Sequence, residues 1–168
     1  MKIELKDNKI YMTRAGEAVC VSACGKNSIR FQAAPSGKLI EQNWTLMPQE
    51  VPAKVWEEED KAVLETGTMR AELTHDGKLT YFRAGKQILR EQPEMTFNSG
   101  IRNYRNKGSH LWTVRISFEA NENEHFYGLG HEPTDCFDLK GCTYDLRHLN
   151  AKCSMPYVYS TLGYGFLW

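Results

Sequence analysis

Several things are missing from this sequence, and each absence narrows the reading. No stretch approaches the eighteen or so consecutive apolar residues that a membrane helix needs, so no helical membrane span is expected. There is no excess charge of either sign: Lys plus Arg number 21 and Asp plus Glu number 21. A nucleic-acid binder draws most of its affinity from basic excess, so no nucleic-acid partner is expected. The nearest approach to a basic stripe, Arg102, Arg105 and Lys107, lies in Asn/Gly-rich sequence and reads as a solvated loop. The opening residues Met1 to Lys6 have no apolar core and no small-residue cleavage site, which argues against a signal peptide and for a cytoplasmic protein.

Paired cysteine spacing is absent too. The five cysteines, Cys20, Cys24, Cys136, Cys142 and Cys153, form no Cys-x-x-Cys pair, and their odd number suits reduced, mostly buried thiols. Only Cys136, Cys142 and His131 offer a partial zinc set, so neither a metal nor another cofactor is expected. His131-Glu132 is no zinc-protease motif, because no second histidine follows at the required spacing. Gly128 and Gly130 lack the remaining residues of a phosphate loop, and their use is backbone conformation at a strand end. Internal repeats, low-complexity stretches and helical periodicity are all missing.

What is present has a period of two. Trp112, Val114, Ile116 and Phe118 alternate with Thr113, Arg115, Ser117 and Glu119, which predicts a strand with Trp112 and Phe118 in the core. Weaker alternation marks Ile10 to Thr13, Ala18 to Ala23, Ser28 to Ala33 and Val63 to Leu73. Turn signals separate the runs: Arg14-Ala15-Gly16, Gly25-Lys26-Asn27, His75-Asp76-Gly77-Lys78 and Ala84-Gly85-Lys86, with Asp76-Gly77 a favoured two-residue hairpin pair. Lys54 to Lys61 reads as an exposed strand with a charged outer side, and Ala34 to Gly37 and Met47-Pro48 to Val51-Pro52 read as loops. Many short strands without helices between them predict an all-β, antiparallel sandwich, treated as one domain over residues 1–168.

From Asn121 to Cys153 the alternation fades into a long irregular loop of the kind that commonly carries function. Regularity returns at Pro156 to Thr161, and after a Leu162 to Gly165 turn the chain ends on Phe166-Leu167-Trp168. So apolar an end is expected of a fragment cut before its packing partner.

Two stretches carry a family resemblance. Glu124-His125-Phe126-Tyr127-Gly128-Leu129-Gly130-His131 resembles the Phe-Tyr-Gly-Leu-Gly-Glu segment of family-31 glycoside hydrolases, the α-glucosidase and α-xylosidase family. Pro156-Tyr157-Val158-Tyr159-Ser160-Thr161-Leu162-Gly163-Tyr164-Gly165 is similar to its Pro-Phe-x-x-Ser-x-x-Gly-Tyr-Gly segment, in the same order and at the same separation. Leu146 to Asn150 also resembles a Leu-x-x-x-Asn stretch of the α-xylosidase-like branch.

The resemblance implies a galactose-mutarotase-like N-terminal sandwich packed on a (β/α)8 barrel that lies outside this sequence. It implies retaining hydrolysis of α-glycosidic bonds by two carboxyl groups roughly 5 Å apart. Both belong to barrel motifs that no position here matches, so no catalytic residue is assigned. The 121–153 loop is expected to face the barrel and bound the pocket for α-linked glucosides or xylosides. The family's Trp-Asn-x-Asp context is absent, which leaves Arg147, His148 and Asn150, then Asp145 and Asp138, as polar candidates for sugar hydroxyls. Tyr157, Tyr159 and Tyr164 are expected to pack against protein instead of stacking on sugar. Two other readings stay open: a free-standing carbohydrate-binding module, and a mutarotase-like epimerase using histidine and carboxylate as acid and base.

Overall fold

The computed structural model describes residues 2–40, 42–47, 51–93, 100–131 and 136–168. Pro48 and Glu132 fall outside these ranges, so part of the 47–52 loop and the His131-Glu132 pair cannot be compared with expectation. Among the described residues every regular element is a strand, fourteen in all and paired antiparallel. The chain divides into two compact units, Met1–Glu119 and Ala120–Trp168.

The first unit contains two meanders. One sheet runs in order through β1 (Lys2–Lys6), β2 (Lys9–Arg14), β3 (Glu17–Ala23) and β4 (Ile29–Ala34). The other runs through β5 (Lys54–Glu57), β6 (Lys61–Thr66), β7 (Met69–Thr74), β8 (Leu79–Arg83) and β9 (Lys86–Arg90). Register explains the core. Ile10 faces Val21 and Met12 faces Val19 across β2 and β3, while Ala62 faces Leu73 and Leu64 faces Ala71 across β6 and β7. Each set therefore shares one face of its sheet, and together with Leu79 they form a single buried cluster between the sheets. Burying one such leucine stabilises the fold by roughly 2 kcal/mol.

Expectation and structure part at six places. Val63 to Leu73 is no single strand: Gly67-Thr68 turns it into the β6–β7 hairpin. At Gly67, φ is +58° and a Cβ would lie 2.0 Å from Asn27 Oδ1, so only glycine fits. Asn27 Oδ1 accepts from Thr68 N at 2.6 Å and Thr68 Oγ1 at 3.1 Å, joining a turn of one sheet to a turn of the other. Asp76-Gly77 is not a two-residue turn. Gly77 N donates to Thr74 O and Thr74 N to Lys78 O, which closes a three-residue loop with Gly77 at φ +95°.

The basic stretch is a strand as well, β10 (Asn103–Gly108), paired with β11 (Leu111–Arg115) in a two-stranded ribbon. Trp112 is 43% exposed and not core, because alternation marks two chemically different faces without saying that either is covered. The thiols are also less hidden than expected, with Cys20 buried and Cys136, Cys142 and Cys153 exposed.

Arg102 departs furthest from a solvated loop residue, with its side chain fully buried. Its guanidinium forks onto Glu91, Nε to Oε1 at 2.8 Å and Nη2 to Oε2 at 2.7 Å. It also donates to Glu17 Oε1 at 3.1 Å and Gly77 O at 3.0 Å, over the Phe31 ring at 4.5 Å. Tyr104 donates to the same Glu17 oxygen, and Leu79 N to Glu91. Burial pushes the Glu91 carboxyl up against the pull of Arg102. Burial alone would lower the Arg102 value, but the charges of Glu91 and Glu17 outweigh it and raise it.

Candidate functional site

The second unit is one sheet in the order β12 (Phe126–His131), β13 (Cys153–Ser160), β14 (Tyr164–Leu167). β12 lies inside the stretch expected to be irregular. Its alternation is broken by a bulge between Gly128 and Gly130, where residues 128, 129 and 130 all have positive φ. A Cβ on Gly128 would come within 2.6 Å of Tyr157 O, and one on Gly130 within 2.0 Å of Cys153 O. The glycines thus serve backbone conformation, as expected, with Gly128 inside β12 and Gly130 one residue from its end.

Two carboxylates hold this sheet and its loop. Glu124, 2% exposed, accepts from Tyr164 OH at 2.6 Å, from Ser160 Oγ, and from Asn121 Nδ2 at 3.0 Å. Burial, then this bond to Glu124, raises the Tyr164 phenol far above its usual value. Asp138 accepts from His125 Nδ1 at 2.6 Å and from the backbone N–H of Phe126 and of Lys140, each at 3.1 Å. The His125 bond, and then the Lys140 amide, hold the Asp138 carboxyl down at about 2. With three donors on it, Asp138 anchors the loop to β12.

Asp145, Arg147, His148 and Asn150 lie further along the loop, and all are exposed. Arg147 Nε meets Asp145 Oδ2 at 3.1 Å, an ion pair on the solvent side worth at most about 1 kcal/mol. Ser154 Oγ on β13 donates to the Arg147 carbonyl at 3.0 Å, which fixes the loop backbone at that point. Asn150 lies in the turn closed by Lys152 N on Leu149 O at 3.0 Å, with Ala151 at φ +66°. The structure therefore gathers these four residues along one short, backbone-anchored stretch.

Sequence reasoning missed an aromatic face. Met155, Tyr157 and Tyr159 alternate along β13 and are 53%, 39% and 48% exposed. Register sets Tyr127 opposite Tyr159, with ring centroids 5.4 Å apart, and Phe137 lies 5.1 Å from Tyr127. The spacing of 155, 157 and 159 was visible in the sequence; the addition of 127 and 137 needed the register. Among the described residues, no group of three His, Cys, Asp or Glu side chains is arranged to hold a metal ion.

The segments that carry the resemblance are therefore adjacent strands, joined through Glu124, Ser160 and Tyr164. Residues 18–168 match the glycosyl hydrolase 31 N-terminal galactose mutarotase-like domain. The chain belongs to that family. It is 27% identical, over 86% of its length, to an uncharacterized family 31 glucosidase of Pseudescherichia vulneris, and spans 31% of that protein. A soil-metagenome GH31 α-xylosidase solved with xylose superposes with a TM-score of 0.90 at 27% identity, covering 100% of this chain and 28% of that one. The GH31 α-xylosidase of Xanthomonas citri gives 0.82 at 25% identity, covering 98% of this chain and 19% of that one. The chain thus corresponds to the N-terminal domain of α-xylosidase- and α-glucosidase-type enzymes and spans about a third or less of these relatives.

Proposed function

We propose that this chain is the non-catalytic N-terminal domain of a cytoplasmic retaining α-glycosidase acting on α-linked glucosides or xylosides. The observation that carries the reading is the β12–β13–β14 sheet, where both matched segments meet and from which the anchored loop extends. In this reading the face formed by half-buried Tyr127 and exposed Phe137, Tyr157 and Tyr159 is covered by the catalytic barrel, since uncovered rings at this density mark a contact surface. Arg147, His148 and Asn150, with Asp145 orienting Arg147, border the sugar pocket. Fork and amide groups suit that place because each bonds two hydroxyls in fixed geometry. The acid and the nucleophile belong to the barrel, so the domain affects binding and positioning and not bond cleavage.

The test is an assay of the full-length gene product on p-nitrophenyl α-xyloside and α-glucoside beside the 168-residue chain. The full-length enzyme is expected to cleave one of them and the isolated chain neither. Arg147→Ala and Asn150→Ala in the full-length enzyme are expected to raise KM more than they lower kcat. Turnover by the isolated chain would overturn the reading. The exposed rings also favour a second reading, a sugar-binding module, for which saturable glycan binding by the isolated chain would speak.

A further inference from the structure

The stretch that bears Arg147 is held by a chain of contacts that begins on β12. Gly130 faces Ser154 of β13 in register. A Cβ on Gly130 would run into Cys153 O and lie 3.0 Å from Met155 N, the backbone atoms on either side of Ser154. Only a residue without a side chain lets β12 press this closely, and φ +86° at Gly130 also suits glycine. The backbone at Ser154 is therefore set by the sheet and not by the loop.

Ser154 Oγ in turn donates to the Arg147 carbonyl at 3.0 Å. Further in, Lys152 N donates to Leu149 O at 3.0 Å, and these two residues form an antiparallel bridge. Both contacts obey one register, 147 with 154 and 149 with 152, around a turn in which Ala151 has φ +66°. Arg147 and His148 thus ride on a short hairpin arm whose base is closed by the Ser154 hydroxyl.

The Arg147 side chain is directed from its other end. Asp145 Oδ2 lies 3.1 Å from Nε, which leaves the terminal Nη1 and Nη2 pair to present as a fork. An exposed ion pair of this kind is weak, so it sets where the fork lies only if the backbone it starts from is fixed. That backbone is where Ser154 acts.

We propose that Ser154 is a positioning residue for sugar binding, acting through the Arg147 backbone, with Gly130 holding Ser154 in place. This role rests on the reading that Arg147 borders the sugar pocket. Ser154 touches no reacting atom, so its effect falls on substrate affinity and leaves bond cleavage to the barrel.

The test compares KM and kcat of the full-length gene product, on whichever p-nitrophenyl glycoside it cleaves, with those of Ser154→Ala, Arg147→Ala and the double variant. Ser154→Ala removes one hydroxyl from a half-buried strand position. It is expected to raise KM about three- to tenfold, the range of one neutral hydrogen bond, with kcat nearly unchanged. Ser154→Thr keeps the hydroxyl on a strand-favouring residue and should restore KM. The double variant should be no worse than Arg147→Ala alone, because the two residues act in series. Thermal unfolding checks that Ser154→Ala folds; if it melts early, Ser154→Cys, close in size but a weak donor, is read instead. An unchanged KM in the Ser154 variant, no rescue by threonine, or additive effects would overturn the proposal while the pocket assignment of Arg147 stands. An unchanged KM in Arg147→Ala would overturn that assignment and the proposal with it.

Discussion

The two units bury different things. In Met1–Glu119 the innermost side chains are apolar, with Ile10, Val21, Leu64 and Leu73 all at 0% exposure. In Ala120–Trp168 the buried side chains among the described residues are Glu124 and Ser160, both polar, while Tyr157, Tyr159, Leu167 and Trp168 face outward. The first unit follows the usual rule that apolar burial drives association of sheets. The second holds its strands by backbone ladders and carboxylate anchors and keeps its apolar surface available. A substitution should therefore be judged by which of these two constructions it enters.

The largest effect is expected where a polar group intrudes on the apolar unit. Arg102→Ala leaves Glu91 buried without its cation and should cost about 3–5 kcal/mol in urea unfolding. Combining it with Glu91→Ala should recover about 1–3 kcal/mol relative to the sum, since the two act as one pair. Additive costs would show that the pair is not coupled. Next comes Leu64→Ala, expected to cost about 2–5 kcal/mol by opening a cavity between the sheets. Tyr159→Ala, the matched truncation in the second unit, should stay within about 0.5 kcal/mol. Equal costs for Leu64 and Tyr159 would erase the distinction between the units.

The same distinction decides what the sequence could reveal. Ala15-Gly16 and Ala84-Gly85 were readable as turns, because a local dipeptide determines a local φ, and both pairs do have positive φ. The β fold and the two matched segments were readable for the same reason. The break at Gly67 was not, since its partner Asn27 lies far away in sequence. Nor was the burial of Arg102, whose partner Glu17 is 85 positions away. β12 was hidden because three successive positive-φ residues disrupt the alternation that announces a strand. At the site, Asp145, Arg147, His148 and Asn150 were readable as neighbours along the chain. The anchoring role of Asp138 depends on His125, Phe126 and Lys140, and no spacing signals that.

A smaller effect is expected at Glu124, where the second unit relies on its polar centre. Glu124→Ala leaves Ser160 and Tyr164 without their shared acceptor and should cost about 1–3 kcal/mol. The loss should be local. Hydrogen exchange should speed at backbone amides of β12 and β13 while those of β3 and β6 keep their protection. Uniform acceleration across both units would mean that they open as one.

Asp138 supplies the finest test, through pH. Its carboxyl is held at about 2 in the folded chain, against an ordinary value of 3.8. A depressed folded value means that its contribution is fully present above the ordinary value and is lost as pH falls through about 2. The window is therefore roughly pH 4 down to pH 2, and at neutral pH the contribution does not vary. The N–H groups of Phe126 and Lys140 donate to Asp138 and report its protonation directly. Their amide proton shifts should titrate together with a midpoint near 2. In Asp138→Asn both titrations should vanish, and the loop amides around Lys140 should exchange faster at neutral pH than in the parent. That difference should shrink toward zero across the same window, because protonation removes from the parent what the substitution has already removed. A midpoint near 3.8 would mean that His125 does not hold the carboxylate. The loop bearing Arg147 and His148 would then be held without the His125 contact, by the Phe126 and Lys140 N–H bonds to Asp138, the Leu139 N–H bond to Phe126 O and the Ser154 bond.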